Sequence, residues 1–131
     1  MEWAIEHVKT YGKPVAATIC IGPNGDEDGV PLAECAVRMA RAGADLVGLN
    51  CLFDPFIMLD CMKIMKTALD KEGLKPFLIS QPLGYRTPDA GHFGWINTPE
   101  FPYAMEPRQI TRIEAMKYAR AAYDLGIRYV N

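Results

Sequence analysis

One segment type recurs four times along the chain and restricts its fold more than any other feature. It consists of an amphipathic stretch, a glycine, a brief spacer and a short apolar run. Tyr11-Gly12 precedes the run from Pro14 to Cys20, and Ala42-Gly43 precedes the run from Asp45 to Cys51. Glu72-Gly73 precedes Phe77 to Gln81, and Leu125-Gly126 precedes Arg128 to Asn131. Glycine suits the position just past a helix end, where the backbone turns left-handed without a side-chain clash. The runs are apolar without alternation, as expected of strands covered on both faces. Strands alternating with helices predict an α/β fold with a parallel sheet and right-handed crossovers.

The stretches before the glycines carry helical period. Leu32, Cys35, Ala36, Met39 and Ala40 form one stripe, opened by Pro31 where a first turn tolerates proline. Met58, Cys61, Met62, Met65 and Leu69 form a second. In the last helix, Thr111 and Glu114 fit a capping box, and Ile113, Met116, Arg120 and Tyr123 share one side.

Glycines 12, 43 and 73 lie 31 and 30 residues apart, one strand–helix unit each, whereas the step from 73 to 126 is 53. The third unit therefore carries an insertion, Leu83 to Arg108, rich in Pro, Gly and aromatics. Long loops after strand ends are where parallel α/β folds keep their active sites. The chain opens with a helix and stops at the tip of its fourth strand. A complete eight-stranded (β/α) barrel needs about 200 residues or more. The expectation is one partial domain over residues 1–131, half a barrel truncated at both ends.

Charge and composition exclude several classes. Fourteen basic against 16 acidic residues give a net charge of -2, without the basic excess of a nucleic-acid surface. No apolar run reaches the roughly 18 residues of a membrane span, and the N-terminus resembles no signal or transit peptide. The four cysteines are irregularly spaced. They suggest free thiols in a cytoplasmic protein and no secreted disulfide framework.

Cys51 is the leading chemical candidate. It ends the second apolar run, and the Leu52-Phe53-Asp54-Pro55 turn leads into a helix whose N-terminus would favour a thiolate. A nucleophile, a metal ligand and a small buried hydrophobe all fit that position. Cys20 holds the matching place in the first run. Cys35 and Cys61 fall on helix stripes and read as core, His7 as helix surface and His92 as loop. Asn50 and Gln81 are strand-end amides able to bind a polar substrate or a loop carbonyl. The loop from Ile21 to Gly29 lacks phosphate-loop spacing and reads as a solvated turn. Phe93, Trp95, Phe101 and Tyr103 could wall a pocket or simply pack the insertion.

Longer motifs resemble a known family. Gly12-Lys13-Pro14-Val15-Ala16-Ala17-Thr18-Ile19-Cys20-Ile21-Gly22-Pro23, Gly29-Val30-Pro31, Glu34-Cys35-Ala36-Val37-Arg38 and Asn50-Cys51 with Phe53-Asp54-Pro55 are similar to betaine–homocysteine S-methyltransferases. So are Ser80-Gln81-Pro82-Leu83, Thr87-Pro88-Asp89, and Pro99-Glu100-Phe101-Pro102 running to Glu106-Pro107-Arg108. The resemblance covers essentially the whole chain. It implies a zinc-dependent (β/α)8 barrel, of which this chain would hold strands five to eight and the helix before them. It further implies that Cys51 is one of three zinc-binding cysteines, the other two following shortly after Asn131. Asn50 and Gln81 would help shape the substrate site, and no residue here is assigned as catalytic. The implied reaction moves a methyl group from betaine to homocysteine, giving methionine and dimethylglycine, in a homo-oligomeric parent enzyme. The isolated chain is expected to be inactive. A related enzyme using S-methylmethionine, or a non-catalytic truncated paralogue, fits the same residues.

Overall fold

The structure, a computed structural model, describes all 131 residues. Four strands, β1 (Ala16–Ile19), β2 (Leu46–Asn50), β3 (Phe77–Gln81) and β4 (Ile127–Val130), alternate with helices α1 (Glu2–Lys9), α2 (Leu32–Arg41), α3 (Pro55–Lys71) and α4 (Arg112–Leu125). The strands pair in chain order, β1-β2-β3-β4, and every pair is parallel. The α/β reading and all four helix–strand units are present: β3 spans the expected run, β1 and β2 are trimmed within theirs at both ends, and β4 is shifted by one residue. In particular, β4 begins at Ile127, which is buried.

Local chemistry explains the boundaries. Gly12, Gly43, Gly73 and Gly126 all take positive φ, as the recurrent segment requires. Gly126 closes α4 in the left-handed conformation at φ 102°, and Thr111 and Glu114 form the complete capping box at its start. Asp54 caps α3, its Oδ1 accepting from the N–H groups of Phe56 and Ile57 at 2.8 and 3.0 Å, with Pro55 in the first turn.

The helices line one face of the sheet, each against its chain neighbour: α1 on α2, α2 on α3, α3 on α4. Between them and the sheet lies one apolar core. Ala17, Val47, Leu49, Leu78 and Ile127 of the strands meet Leu32, Ala36 and Met39 of α2 and Met58, Cys61, Met62, Met65 and Leu69 of α3. Both of these helix stripes fall where the 3.6-residue period places them, with Cys35 buried and Ala40 partly so.

The last stripe does not. Ile113, Met116 and Tyr123 are 61 to 66% exposed, and Arg120 is exposed beside them. Helix α4 instead turns Tyr118 and Ala122 to the core. The physical reason is a polar anchor. The Tyr118 hydroxyl donates to the Ser80 Oγ of β3 at 2.7 Å, with both residues buried, and this pairing selects the face of α4. Burial pushes the Tyr118 phenol's pKa up, which keeps it in the neutral, donating form. Tyr118→Phe should lower stability by about 1–2 kcal/mol, because the Ser80 hydroxyl is left without its partner. A urea midpoint unchanged from the parent's would contradict this anchor.

The opposite face of the sheet carries no helix. Thr18, Gly48, Ile79 and Tyr129 share one row of it by register. Phe77 and Tyr129 are 62% and 57% exposed. Here the expectation of strands covered on both faces is only half met: helices cover one face, and on the other Gly48 is buried, Leu46 and Asn50 are half-buried, and Phe77 and Tyr129 stand open. Gly48 sits at the closest approach of two strands, since a Cβ there would lie 1.7 Å from the Ile79 carbonyl oxygen. The pairing of β3 with β4 is irregular at this same level, between Leu78 and Ile79. No helix is long and apolar enough to cross a membrane.

Candidate functional site

Parallel pairing brings the carboxyl ends of all four strands to one edge, and the residues singled out as chemical gather there. Asn50 stands opposite Gln81 in the β2–β3 register. Cys20 directly follows β1, and Cys51 directly follows β2. Both thiols are free and exposed, whereas Cys35 and Cys61 are buried in the helix stripes. The core assignments of Cys35 and Cys61 therefore hold. Cys51 is no buried hydrophobe, which leaves its chemical readings open.

Cys51 is held in an unusual conformation. It and Leu52 both take φ 59° without being glycine, a conformation L-residues adopt only when surroundings impose it. The surroundings are visible. The Cys51 N–H donates to the Gln81 carbonyl at 3.0 Å, continuing the ladder one step past the strand. The turn that follows is pinned from the inserted segment: Trp95 N–H donates to the Leu52 carbonyl at 2.8 Å, and Leu83 N–H to the Phe53 carbonyl at 3.0 Å. Gly94 makes the first contact possible. Its φ is 56°, and a Cβ there would lie 2.0 Å from the Leu52 oxygen. In this turn the Asn50 Nδ2 donates to the Cys51 Sγ at 3.2 Å. Asn50 thus contacts the thiol directly. The Gln81 side chain is half-buried and forms no hydrogen bond within the chain.

The helix that follows the Cys51 turn is capped by its own residues. The two N–H groups at the start of α3 are taken by Asp54, not offered to Cys51. Asp54 was the feature that sequence reasoning missed. It is 1% exposed, and its second oxygen accepts from the Thr87 N–H at 2.9 Å while its own N–H donates to the Thr87 Oγ1 at 2.9 Å. Arg86 completes the cluster, its Nε 3.8 Å from the Asp54 carboxylate and its guanidinium stacked over the Phe56 ring at 4.9 Å. A second latch closes the insertion on itself. Arg108, only 13% exposed, bonds both oxygens of Asp89 at 2.6 and 2.7 Å and Glu100 at 2.6 Å. These contacts hold the Asp89 carboxyl down at about 2 and lower that of Glu100. Thr87, Asp89, Glu100 and Arg108 all fall within motifs quoted above, but no spacing rule pairs them.

The aromatic cluster is partly as expected. Trp95 meets Phe101 edge-on at 5.1 Å, but Tyr85 stacks on its other side at 6.0 Å. Tyr103 is 94% exposed and outside the cluster, and Phe93 instead contacts His92. His92, in the loop as read, lines a small cavity with Cys20, Leu52 and Phe93. His7 stacks on Trp3 on the surface of α1. The loop from Ile21 to Gly29 is a turn whose Asp26 carboxylate accepts from the N–H groups of Asp28 and Val30, as a solvated turn does.

No group of three or more His, Cys, Asp or Glu side chains is arranged to hold a metal ion. Zinc takes three or four protein ligands, so the residues of this chain do not by themselves build a zinc site. Cys51 and Cys20 are its soft donors at the strand ends.

No protein-family model matches the chain. Curated relatives do. The betaine–homocysteine S-methyltransferase of Mus musculus is 57% identical over 128 residues, 98% of this chain. That of Danio rerio is 55% identical over 129 residues. An S-methylmethionine–homocysteine S-methyltransferase of Rattus norvegicus is 51% identical over 128 residues. The chain spans about a third of the length of these relatives, 31% to 35%.

Proposed function

We propose that this chain, a homologue of betaine–homocysteine S-methyltransferases along nearly its whole length, is the part of a methyltransferase barrel that supplies one metal-binding thiol. The observation that carries the reading is the identity of 55–57% sustained over 98% of the chain. The structure is consistent with the barrel: strands in strict chain order and helices on one face only, over a partly uncovered opposite face. That is the topology of consecutive (β/α) units, whereas an open doubly wound sheet reverses its strand order. The units correspond to strands five to eight, one partial domain over residues 1–131.

The proposed reaction transfers a methyl group from betaine to the sulfur of homocysteine. Zinc, when bound, lowers a thiol's pKa and so favours the thiolate that is the competent nucleophile. Cys51 donates one ligand, its thiol presented outward by the left-handed turn and braced by the Asn50 amide. The remaining ligands come from outside these 131 residues. The Gln81 side chain, beside Asn50, is available to a polar substrate. The protein is proposed to act in the cytoplasm, as a homo-oligomer in its complete form.

S-methylmethionine as donor is the second reading, favoured by the 51% identity to the rat enzyme named for it. Assay of the complete protein with homocysteine and each donor decides between them, betaine being expected to give the faster methionine formation. Cys51→Ser in that protein should lose bound zinc, measured by elemental analysis, and lower activity by at least about 10–100-fold. Retention of both would remove Cys51 from the site. The 131 residues alone are expected to transfer no methyl group, and measurable turnover by them would overturn that part of the proposal.

A further inference from the structure

Cys51 and Leu52 hold a conformation that neither side chain favours, so a force from outside β2 must maintain it. A non-glycine residue in the left-handed region costs about 1–3 kcal/mol, and here two stand in succession. They form a three-residue turn, closed by the Phe53 N–H on the Cys51 carbonyl at 2.7 Å. Such turns are rare and strained when the central φ is positive. One hydrogen bond returns only about 0.5–1.5 kcal/mol. Bonds that reach the turn from elsewhere therefore decide its shape.

The central carbonyl of the turn, that of Leu52, accepts from the Trp95 N–H. That donor is held by a tight knot over residues 91–98. The Gly94 N–H donates to the Gly91 carbonyl at 3.0 Å, the Asn97 N–H to the Gly94 carbonyl at 2.9 Å, and the Thr98 Oγ1 to the Trp95 carbonyl at 2.6 Å. The Asn97 Oδ1 closes the knot, accepting from the Phe93 N–H at 2.8 Å. The Trp95 ring is fixed between Tyr85 and Phe101. Without the contact at Leu52, β2 would continue as a strand. Leu49 is buried in the core under the helices, so strand alternation would turn Cys51, two residues on, to that same covered side. In the observed turn Cys51 is exposed instead, its thiol beside the Asn50 amide.

We propose that Gly94 and Trp95 are positioning residues, through which the insertion, and not the strand, chooses the face on which the Cys51 thiol is displayed. Both act through Leu52. Gly94 lets the two backbones approach, and Trp95 supplies the single N–H that holds the Leu52 carbonyl in place. The Trp95 side chain serves only to keep that N–H in position, a task another aromatic ring between Tyr85 and Phe101 can perform. Only the consequence for metal binding rests on the function proposed above: a thiol turned under the helices is withheld from a metal at the strand ends.

The test alkylates the metal-free protein with iodoacetamide under native conditions and follows each cysteine by peptide mass. Trp95→Pro removes the donor at the first residue of a short 3-10 helix, where proline fits. Trp95→Phe keeps both the N–H and a ring. The rate at Cys51 relative to Cys20 should fall at least about tenfold in Trp95→Pro and in Gly94→Ala, because a thiol turned to the buried side is inert. In Trp95→Phe the ratio should stay within about twofold of the parent's. The buried thiols of Cys35 and Cys61 report the fold, remaining unreactive while the helices stay packed. Three results overturn the assignment: an unchanged ratio in whichever of Trp95→Pro and Gly94→Ala keeps Cys61 protected, a matching fall in Trp95→Phe, or exposure of Cys61 in both of the disruptive variants. Zinc content of the complete protein separates the two proposals, since it should drop in Trp95→Pro and hold in Trp95→Phe. If the thiol turns while zinc is kept, the positioning stands and the metal role of Cys51 falls.

Discussion

Replacing Asp54 by Ala is expected to lower the protein's stability by about 3 kcal/mol, and to release the inserted segment from the strand ends. The carboxylate is 1% exposed and satisfies three backbone donors, those of Phe56, Ile57 and Thr87. Loss of the helix cap costs about 1–2 kcal/mol, and the abandoned Thr87 N–H in a buried position a further ~1–3 kcal/mol. Asp54→Asn should recover about half of the loss. Its amide oxygen still caps α3, but its NH2 group then faces the Thr87 N–H, donor against donor. Urea unfolding at constant m-value measures both. A loss below about 1 kcal/mol for Asp54→Ala would show that the contacts are replaced by water at little cost. Hydrogen exchange across Leu83–Arg108 should rise in the same variant, because the Asp54–Thr87 pair ties that segment to the α3 terminus.

The second large effect is expected at Gly48. A methyl group there would lie 1.7 Å from the Ile79 carbonyl oxygen and 2.7 Å from its carbon. Backbone, not a yielding side chain, is the obstacle, so β2 and β3 must separate to admit it. Gly48→Ala should therefore cost about 3 kcal/mol. The disturbance reaches the strand ends, since the Asn50–Gln81 pairing is two residues further along the same ladder. Reduced protection of the Cys51 amide, which donates to Gln81, would accompany the loss. An alanine variant as stable as the parent would mean that β3 shifts freely at its irregularity beside Leu78.

How much of this was legible in the sequence depends on the range of the interaction. The helix ends were readable because Gly12, Gly43, Gly73 and Gly126 act on their own backbone, within one turn of the helices they close. The stripes of α2 and α3 were readable because these helices pack against both neighbours and the sheet. On α4 the apolar period pointed to Ile113, Met116 and Tyr123, yet a single hydroxyl pair, Tyr118 with Ser80, fixed the opposite choice. That pair spans 38 residues, and no local pattern encodes it. The Asp54–Thr87 clamp spans 33 residues and escaped for the same reason. The place of Cys51 at a strand end was legible from the apolar run before it. Its conformation was not, because positive φ is signalled in a sequence by glycine and more weakly by Asn or Asp, and neither Cys51 nor Leu52 is one of these.

The order β1-β2-β3-β4 has a kinetic consequence. Every strand pairs with the next one synthesised, so the sheet can lengthen one unit at a time as the chain emerges, without waiting for a distant partner. Topologies dominated by such near-neighbour closures fold faster than those that must join remote segments. The insertion changes this little, because lengthening a closing loop from about 30 to about 50 residues adds only ~0.5 kcal/mol of entropy. The segment that shapes the Cys51 turn could thus lengthen during evolution with almost no penalty to assembly.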